Sequence, residues 1–372
     1  MNADDTSRRA LLHERARSFI ERAAVGMPTN ESFDALGLEI ARYQSEHVAP
    51  YRRLLAARRC DIGSAGALGD LPAMPADAFR VVRVAAHSER HDVAVFVTSG
   101  TTAAKRGMHA LSTTETYERA ALAWGGWALA PDAPSEAVAI VLAERSGRDS
   151  SLEFMLRLFA GRFAEEAHFA IRQAEIDMEA LRGACAAALR KGGPAIVMGT
   201  SLAFVHLLDR LAGRRLELPR GSRIMHTGGF KGRSRSVAPA ELVAALAQAC
   251  GVDERAVVGE YGMTELCSQA YEGTLRAMMG MPTPADRHGV FVPPPWMRVV
   301  AVDGETLAPV REGEAGLLRI EDLANVDSAV AVQTADVGRI VGGCVALTGR
   351  APGAPPRGCS LAMDDLLSES GE

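Results

Sequence analysis

The sequence predicts an α/β protein in which helices pack on mainly parallel sheets, with a small β-barrel-like subdomain towards the end. Between residues 91 and 292, short runs of β-branched and apolar residues alternate with helical patterns, which is typical of parallel strands joined by helices. After the three prolines that begin at Pro293, strand-length runs follow one another with turns between them, which indicates antiparallel pairing. These two observations together define the predicted class.

The first 90 residues are predicted to form a helical N-terminal region. From about Ser7 to Arg59, apolar side chains recur at roughly helical spacing among Arg and Glu. Residues 71–75 contain two prolines, each of which fixes its own φ and biases the preceding residue towards an extended form. This segment is therefore predicted to be a connector that leads to the first strand.

Alternating elements make up residues 91–292. The strand candidates are 93–98, 137–143, 194–199, 222–227 and 256–260. The helix candidates are 112–128, 151–162, 176–190, 201–213 and 239–250. Ser112 and Glu115 fit a capping box, which predicts that the loop after Thr98 leads into a helix. Further on, the strand candidates are 296–302, 316–320 and 329–332, and the tail 351–372 is predicted to be a loop followed by a short helix.

Composition excludes several classes of protein. Of the 372 residues, 48% are hydrophobic, which is enough for a large core, and the net charge is only -5 with basic residues scattered. We therefore expect neither nucleic acid nor a membrane as a partner. The start lacks the apolar run of a secretory signal, so we expect a cytoplasmic protein without membrane insertion. Six cysteines without metal-ligand spacing to the nine histidines argue against structural zinc.

A hydroxyl- and glycine-rich loop follows the first strand candidate. Backbone N–H groups and hydroxyls of such a loop can surround phosphate oxygens, and a lysine adds a point charge. The spacing is not that of a Walker P-loop, so phosphoryl transfer of the kinase type is not favoured. Taken alone, the loop is as often a surface connector. Its residues are Thr98, Ser99, Gly100, Thr101 and Thr102, with Lys105 three positions further on.

Two later motifs carry residues suited to a nucleotide. In Tyr261-Gly262-Met263-Thr264-Glu265, the glutamate is a hard oxygen ligand of the kind that Mg²⁺ prefers. In Thr334-Ala335-Asp336, the aspartate can accept hydrogen bonds from two neighbouring hydroxyls. Each residue also has a structural explanation: a buried aromatic, a solvated acid or a turn residue. The order of the three motifs is harder to explain in that way.

The motifs resemble, in order and spacing, those of the adenylate-forming superfamily of acyl-CoA synthetases, peptide-synthetase adenylation domains and luciferases. Within it, the chain is most similar to the acyl-protein synthetase family of the bacterial bioluminescence fatty-acid reductase complex. The segments that carry this second likeness are Tyr43-Gln44 with Pro50-Tyr51, Leu71 to Phe79, Thr227-Gly228-Gly229-Phe230-Lys231, and Arg357-Gly358-Cys359-Ser360-Leu361.

The resemblance implies the large-domain fold of that superfamily and a role for each motif. It places the loop 98–102 on ATP phosphates, Tyr261 on adenine, and Thr264 at the α-phosphate. It makes Glu265 the Mg²⁺ ligand. The remaining nucleotide-site residues that it implies are Lys105, Gly228, Gly229, Gly262, Asp336 at the ribose hydroxyls, and Arg350 near the same sugar. The implied divisions are a helical region over residues 1–90, a nucleotide-binding core over 91–292, a β-rich region over 293–350 and a tail over 351–372.

The chain also departs from the superfamily pattern. Ala103 and Ala335 stand where glycines are usual. Only 22 residues follow Arg350, so we expect the usual mobile C-terminal domain, with its catalytic lysine, to be absent. Another cation would then neutralise the forming adenylate, and Lys231 and Lys105 are the candidates.

Cys359 is the residue that separates the functional alternatives. The resemblance implies that it holds the acyl group as a thioester, and neighbouring Arg357 would favour the reactive thiolate. The expected activity is then ATP-dependent activation of a carboxylic acid, by resemblance a fatty acid, with transfer to Cys359 and on to a reductase or carrier protein. One alternative is direct transfer to coenzyme A or a carrier thiol. Another is a non-catalytic nucleotide-binding scaffold. His109 and His226 are expected to be core residues, although His226 lies immediately before Thr227-Gly228-Gly229 and could approach the nucleotide.

Overall fold

The structure is a computed structural model that describes residues 3–98, 106–145, 149–228 and 238–351. The chain divides into two compact units. The first contains Met1–Ala121, Met263–Ser268 and Pro293–Glu372, and the second contains Leu122–Gly262 and Gln269–Val292. Within the described residues, no helix is long and apolar enough to cross a membrane.

The α-helices follow the predicted pattern closely. Their bounds are α1 Ala3–Ala24, α2 Phe33–His47, α3 Ala49–Ala57, α4 Ala78–Val81, α5 Glu115–Leu129, α6 Ser151–Phe163, α7 Met178–Lys191, α8 Ser201–Leu211, α9 Pro239–Cys250 and α10 Thr274–Met278. The strands are β1 Met74–Pro75, β2 Ala94–Val97, β3 Met108–Leu111, β4 Val138–Leu142, β5 Glu166–Phe169, β6 Ile171–Arg172, β7 Glu175–Ile176, β8 Ala195–Thr200, β9 Arg223–Thr227, β10 Val257–Tyr261, β11 Ala270–Glu272, β12 Val290–Val292, β13 Met297–Val302, β14 Ala315–Asp322, β15 Ala331–Val341 and β16 Cys344–Arg350.

The first unit combines helices α1 to α4 with an antiparallel sheet. Strands β13, β14, β15 and β16 pair in that order, and the short connector strand β1 runs parallel to β15. Trp296 is fully buried beside this sheet's first strand, and Leu36 and Ile40 of α2 are buried as well. The predicted helical start and the predicted β-rich texture after Pro293 are both confirmed.

The second unit is built on a parallel sheet. Strands β5, β4, β8, β9 and β10 lie in that order and are all parallel. Strand β11 extends the sheet antiparallel to β10, and β12 pairs antiparallel with β11. A cluster of buried apolar side chains from the strands and from α7, α8 and α9 forms its core, with Leu246, Ile224 and Phe204 fully buried. The alternation of strands and helices in this region therefore gave the predicted parallel arrangement.

Two predictions about the loop after Thr98 are wrong. Strand β2 is not in the parallel sheet, because it pairs antiparallel with β3, so the loop leads into a strand and not into a helix. The capping box is also absent, because the Ser112 hydroxyl donates to Asp327 over 2.9 Å and helix α5 begins only at Glu115. A buried carboxylate distant in sequence competes successfully with the local cap.

Candidate active site

The hydroxyl- and glycine-rich loop is closed at its base by the ends of β2 and β3. The Thr98 N–H donates to the Gly107 carbonyl over 2.9 Å, and the Gly107 N–H donates to Thr98 Oγ1 over 2.8 Å. A side chain at Gly107 would meet the Thr98 methyl group at 3.0 Å, so there is little room for one. The structure therefore fixes the base of the loop. Its other candidate residues, Ser99, Gly100, Thr101, Thr102 and Lys105, lie outside the described residues.

The segment 263–268 carries Thr264 and Glu265 and contains neither helix nor strand. Its main chain is held by buried side chains instead. His109 Nδ1 lies 2.7 Å from the Thr264 carbonyl oxygen, and Asn325 Nδ2 donates to the Glu265 carbonyl over 2.9 Å. Both candidate residues thus sit on a backbone that is fixed in advance, as a preorganised site requires.

Asp322 holds the other end of the same segment. Its carboxylate accepts from the Cys267 N–H at 3.0 Å and from the Ser268 hydroxyl at 2.7 Å, and that hydroxyl accepts from the Trp296 indole N–H at 3.0 Å. Burial raises the pKa of Asp322 to about 6, against the effect of these hydrogen bonds. Burial also raises the pKa of the Cys267 thiol well above its usual range, which leaves Cys267 an inert packing residue.

His109 links strand β3 to segment 263–268. A neutral imidazole has one N–H and one acceptor nitrogen, and a carbonyl can only accept. Nδ1 therefore carries the hydrogen that bonds to Thr264, and Nε2 accepts from the Ser328 hydroxyl at 2.8 Å. Burial lowers the pKa of His109 to about 4, so the ring is neutral near pH 7. His109 is indeed buried, as expected for a core residue, but it also positions Thr264 relative to the base of the loop.

Asp336 and Arg350 form a pair on neighbouring antiparallel strands. They are direct partners in the register of β15 and β16, and Arg350 Nε lies 3.0 Å from Asp336 Oδ1. The aspartate side chain is 17% exposed and the arginine side chain 55% exposed, so the pair lies at the surface of the first unit. The structure thus brings together the two residues that the resemblance assigns to one sugar.

In the second unit, Gly228 and Tyr261 lie at the same edge of the parallel sheet. Gly228 follows the carboxyl end of β9 at Thr227, and Tyr261 is the last residue of the parallel neighbour β10. The Thr227 hydroxyl donates to the buried Glu260 carboxylate. Gly228 adopts a φ of 76°, and its carbonyl accepts from the Ser201 hydroxyl over 2.7 Å. In open α/β sheets, ligands bind outside the carboxyl ends of the strands.

Gly262 follows directly and has no room for a side chain. A Cβ at this position would lie 2.4 Å from Glu260 Oε1 and 3.1 Å from Gln269 Cγ. The adjacent Tyr261 ring is half-buried, with its centroid 5.9 Å from that of Phe291. The glycine therefore lets the chain pass closely beside the buried glutamate while the tyrosine ring stays partly accessible.

Glu265 is the candidate magnesium ligand, and its side chain is buried with the residue 8% exposed. Among the described residues, no group of three or more His, Cys, Asp or Glu side chains could hold a metal ion. Mg²⁺ is usually bound by one or two carboxylates together with phosphate oxygens and water. A single glutamate fits an ion that arrives with a polyphosphate.

Three further candidate residues lie outside the described residues: Gly229, Lys231 and Cys359. His226 is half-buried at the carboxyl edge of β9, with Nδ1 3.1 Å from Ser201 Oγ. It supports the hydroxyl that bonds to Gly228, so it too is more than a space-filling residue.

No protein-family model matches the chain, and no curated protein matches it. Solved structures do. The open conformation of 2-hydroxyisobutyryl-CoA ligase in complex with 2-HIB-AMP and CoA aligns with a TM-score of 0.62 and 13% identity, over 87% of this chain and 74% of the ligase. The same ligase in its thioesterification state aligns with a TM-score of 0.63 and 12% identity, over 94% and 69%.

This chain has the adenylate-forming fold. ATP-bound MatB from Rhodopseudomonas palustris gives a lower TM-score of 0.49 at 18% identity, over 70% of this chain and 48% of MatB, and adds nothing to the comparison. The alignments with 2-hydroxyisobutyryl-CoA ligase extend over most of both chains, and they confirm the predicted fold class.

Proposed function

We propose that this protein uses ATP to convert a carboxylic acid, of the fatty-acid class, into an acyl adenylate. A carboxylate oxygen attacks the α-phosphorus, the bond from that phosphorus to the bridging oxygen breaks, and pyrophosphate leaves. The acyl carbon then carries AMP, a far better leaving group than hydroxide. The observation that supports this best is the preorganised segment 263–268, within a fold shared with a ligase that was solved in complex with 2-HIB-AMP and CoA.

In this proposal Thr98, Thr264, Glu265 and Asp336 handle the phosphates and the ribose. The loop that starts at Thr98 surrounds the ATP phosphates, and Thr264 contacts the α-phosphate. Glu265 holds Mg²⁺, which neutralises phosphate charge when bound. The Asp336 carboxylate accepts from ribose hydroxyls, and its ion pair with Arg350 orients it.

Tyr261, Gly228 and Gly262 are proposed to receive the adenine base. The half-buried Tyr261 ring offers a face for stacking, and Gly228 and Gly262 let the backbone approach closely at the carboxyl edge of the sheet. Lys105 and Lys231 are proposed as the cations that balance the charge that develops at the α-phosphate.

The acyl group is then proposed to move to Cys359 and on to a partner protein. The Cys359 thiol first loses its proton to solvent. The thiolate sulfur then attacks the acyl carbon, and the carbon–oxygen bond to AMP breaks. A second candidate acceptor is coenzyme A, because the ligase that shares this fold was solved with CoA as well as 2-HIB-AMP.

Acid-dependent exchange of labelled pyrophosphate into ATP tests the adenylation step. We expect exchange with at least one member of a panel of fatty, aryl and short hydroxy acids, and none without acid. A hydroxylamine trap should give the matching hydroxamate. Failure of every acid in both assays would contradict adenylation and favour the nucleotide-binding scaffold.

Replacing Cys359 by serine tests the acceptor. We expect Cys359→Ser to keep pyrophosphate exchange and to lose the acyl mass that intact-protein mass spectrometry detects after incubation with ATP and acid. Cys60→Ser, at a half-buried free thiol, is the matched control and should keep the added mass. If Cys359→Ser keeps the mass, or if only added coenzyme A becomes acylated, the protein-bound thioester is wrong.

Gly262→Ala should raise the dissociation constant of ATP about tenfold, because a methyl group would push the Glu260 carboxylate away from Thr227 and shift the tyrosine beside it. Calorimetric titration with ATP measures this change. Gly161→Ala in α6, where a Cβ meets no atom within 4 Å, is the control and should leave binding unchanged. Equal affinity in both variants would contradict a nucleotide site at this edge.

A further inference from the structure

A groove of about 710 Å³ runs along β5 in the second unit, and none of the candidate nucleotide-binding residues lines it. One wall is β5 itself, which ends the parallel sheet and pairs, among the described strands, only with β4. The outer edge of a terminal strand presents N–H and C=O groups to any extended chain that lies beside it. The groove therefore offers main-chain partners along one side.

The floor of the groove is one face of α7. Ala180, Gly183 and Ala187 follow one another at intervals of three and four residues, which puts them on the same helical face. A Cβ added at Gly183 would meet no atom within 4 Å, so the space above the helix is open. Small residues at these positions leave depth for the side chains of an added strand.

The acidic side chains that line the groove are already engaged. Glu144 Oε1 accepts from the Ala174 N–H over 2.8 Å, and Glu166 Oε1 lies 2.8 Å from His168 Nε2. Neither carboxylate pairs with an arginine of the lining within the described residues. Each carboxylate thus has a hydrogen-bond partner, and the lining carries three arginines against these two glutamates.

The basic side chains of the lining are more available. Arg145 and Arg190 are exposed, and no described carboxylate forms an ion pair with either of them. Arg145 lies over the Phe169 ring, 6.0 Å from its centroid, at the carboxyl end of β5. Arg190 belongs to the last turn of α7. Arg172 also lines the groove and pairs with Asp177 over 3.1 Å.

We propose that this groove binds an extended acidic segment of a partner protein, which adds as a strand to β5 and places its carboxylates against Arg145 and Arg190. Main-chain hydrogen bonds would supply affinity, and charge-assisted bonds to guanidinium groups would supply selectivity. A second copy of this chain is disfavoured, because it would bring the same arginines face to face. The proposal does not depend on the adenylation reaction.

A fluorescein-labelled peptide of four Glu-Val repeats is the probe, and fluorescence polarisation with the full chain is the measurement. Alternate N–H groups of a strand point to opposite sides. Two further peptides carry N-methyl groups, one on every Val and the other on every Glu. We expect the parent peptide to bind, one methylated peptide to bind equally well, and the other to bind at least about tenfold more weakly. A Lys-Val peptide should not bind.

Three substitutions locate the binding surface. Arg145→Glu and Arg190→Glu should each weaken the parent peptide about tenfold. Gly183→Leu should weaken it similarly by filling the floor, and the open space at this position lets the helix keep its fold. The matched controls are Arg182→Glu on the exposed side of α7 and Gly161→Leu on α6, and both should bind within about twofold of the unchanged protein.

Several results would overturn the proposal. The proposal is wrong if the Glu-Val peptide does not bind. It is also wrong if both methylated peptides lose affinity equally, or if neither of them loses affinity. Displacement of the peptide by tripolyphosphate with the same dependence on Arg145 would identify a simple anion site. A dimer in light scattering that Gly183→Leu converts to a monomer would identify a second copy as the occupant.

Discussion

Replacing His109 by alanine is expected to reduce kcat/KM for ATP in acid-dependent pyrophosphate exchange by about 100-fold. The change leaves the Thr264 carbonyl without its donor and the Ser328 hydroxyl without its acceptor. Each orphaned buried group costs about 1 to 3 kcal/mol. Segment 263–268 would relax to recover hydrogen bonds, and a shift of about 1 Å in a substrate-positioning group is worth about 100-fold in rate.

Two variants separate positioning from stability. His109→Asn keeps an N–H donor close to the Nδ1 position and should recover activity to within about tenfold of the unchanged enzyme. Ser328→Ala removes only the bond on the far side of the ring, so it should lower the melting temperature with little effect on kcat or KM. If His109→Ala lowers the melting temperature but leaves both kinetic constants unchanged, His109 has no positioning role.

The strands could be predicted from the sequence where they are buried almost continuously. Strands β4, β8, β9 and β10 are buried over almost their whole length, although β9 and β10 also carry polar residues, and each was predicted to within a residue or two. The partner of β2 was not predictable in this way. Strand β3 has only four residues and carries the polar His109, so neither its existence nor its antiparallel pairing is visible in the periodicity.

The same distinction applies to the site. Thr264, Glu265 and Asp336 stand in local motifs, so the sequence alone could propose them as candidates. The side chains that hold them come from elsewhere: His109 is 155 residues from Thr264, and Asn325 is 60 residues from Glu265. No local spacing encodes such contacts. A polar residue in an otherwise apolar run next to a glycine-rich loop is the one available signal for His109.

Asp327 is the centre of a buried polar network in the first unit. Its carboxylate accepts from the Ser112 N–H over 2.7 Å and from the Ser112 hydroxyl over 2.9 Å. His13 Nε2 lies 3.2 Å from Oδ1, and His87 Nδ1 lies 3.7 Å from the same oxygen. The network joins helix α1, the segment before β2 and the end of β3, so it supports the hairpin that carries the loop.

Replacing Asp327 by asparagine is expected to lower the free energy of unfolding at pH 7 by about 3 kcal/mol. An amide would turn an NH₂ group towards donors that the carboxylate accepts from, and those buried donors would lose a charged acceptor. Urea denaturation measures the change. Asp286→Asn, at an exposed position, is the control and should match the unchanged protein.

The pH dependence of the same variant is the sharper measurement. Burial raises the pKa of Asp327, but the hydrogen bond from His13, the charges of His13 and His87 and the Ser112 N–H outweigh it and hold the pKa at about 2. The unfolded chain takes up this proton near pH 4, so the ionised carboxylate stabilises the fold by about 2 to 3 kcal/mol above pH 4 and loses this contribution as the pH falls towards 2. Asp327→Asn should lack that loss. A second contribution comes from His87, whose pKa is lowered by burial. The unfolded chain protonates this histidine below about pH 6.5 before the folded protein does, so the free energy of unfolding also falls there. This fall should persist in Asp327→Asn. An unchanged slope between pH 4 and pH 2 in Asp327→Asn would show that another carboxylate controls acid unfolding.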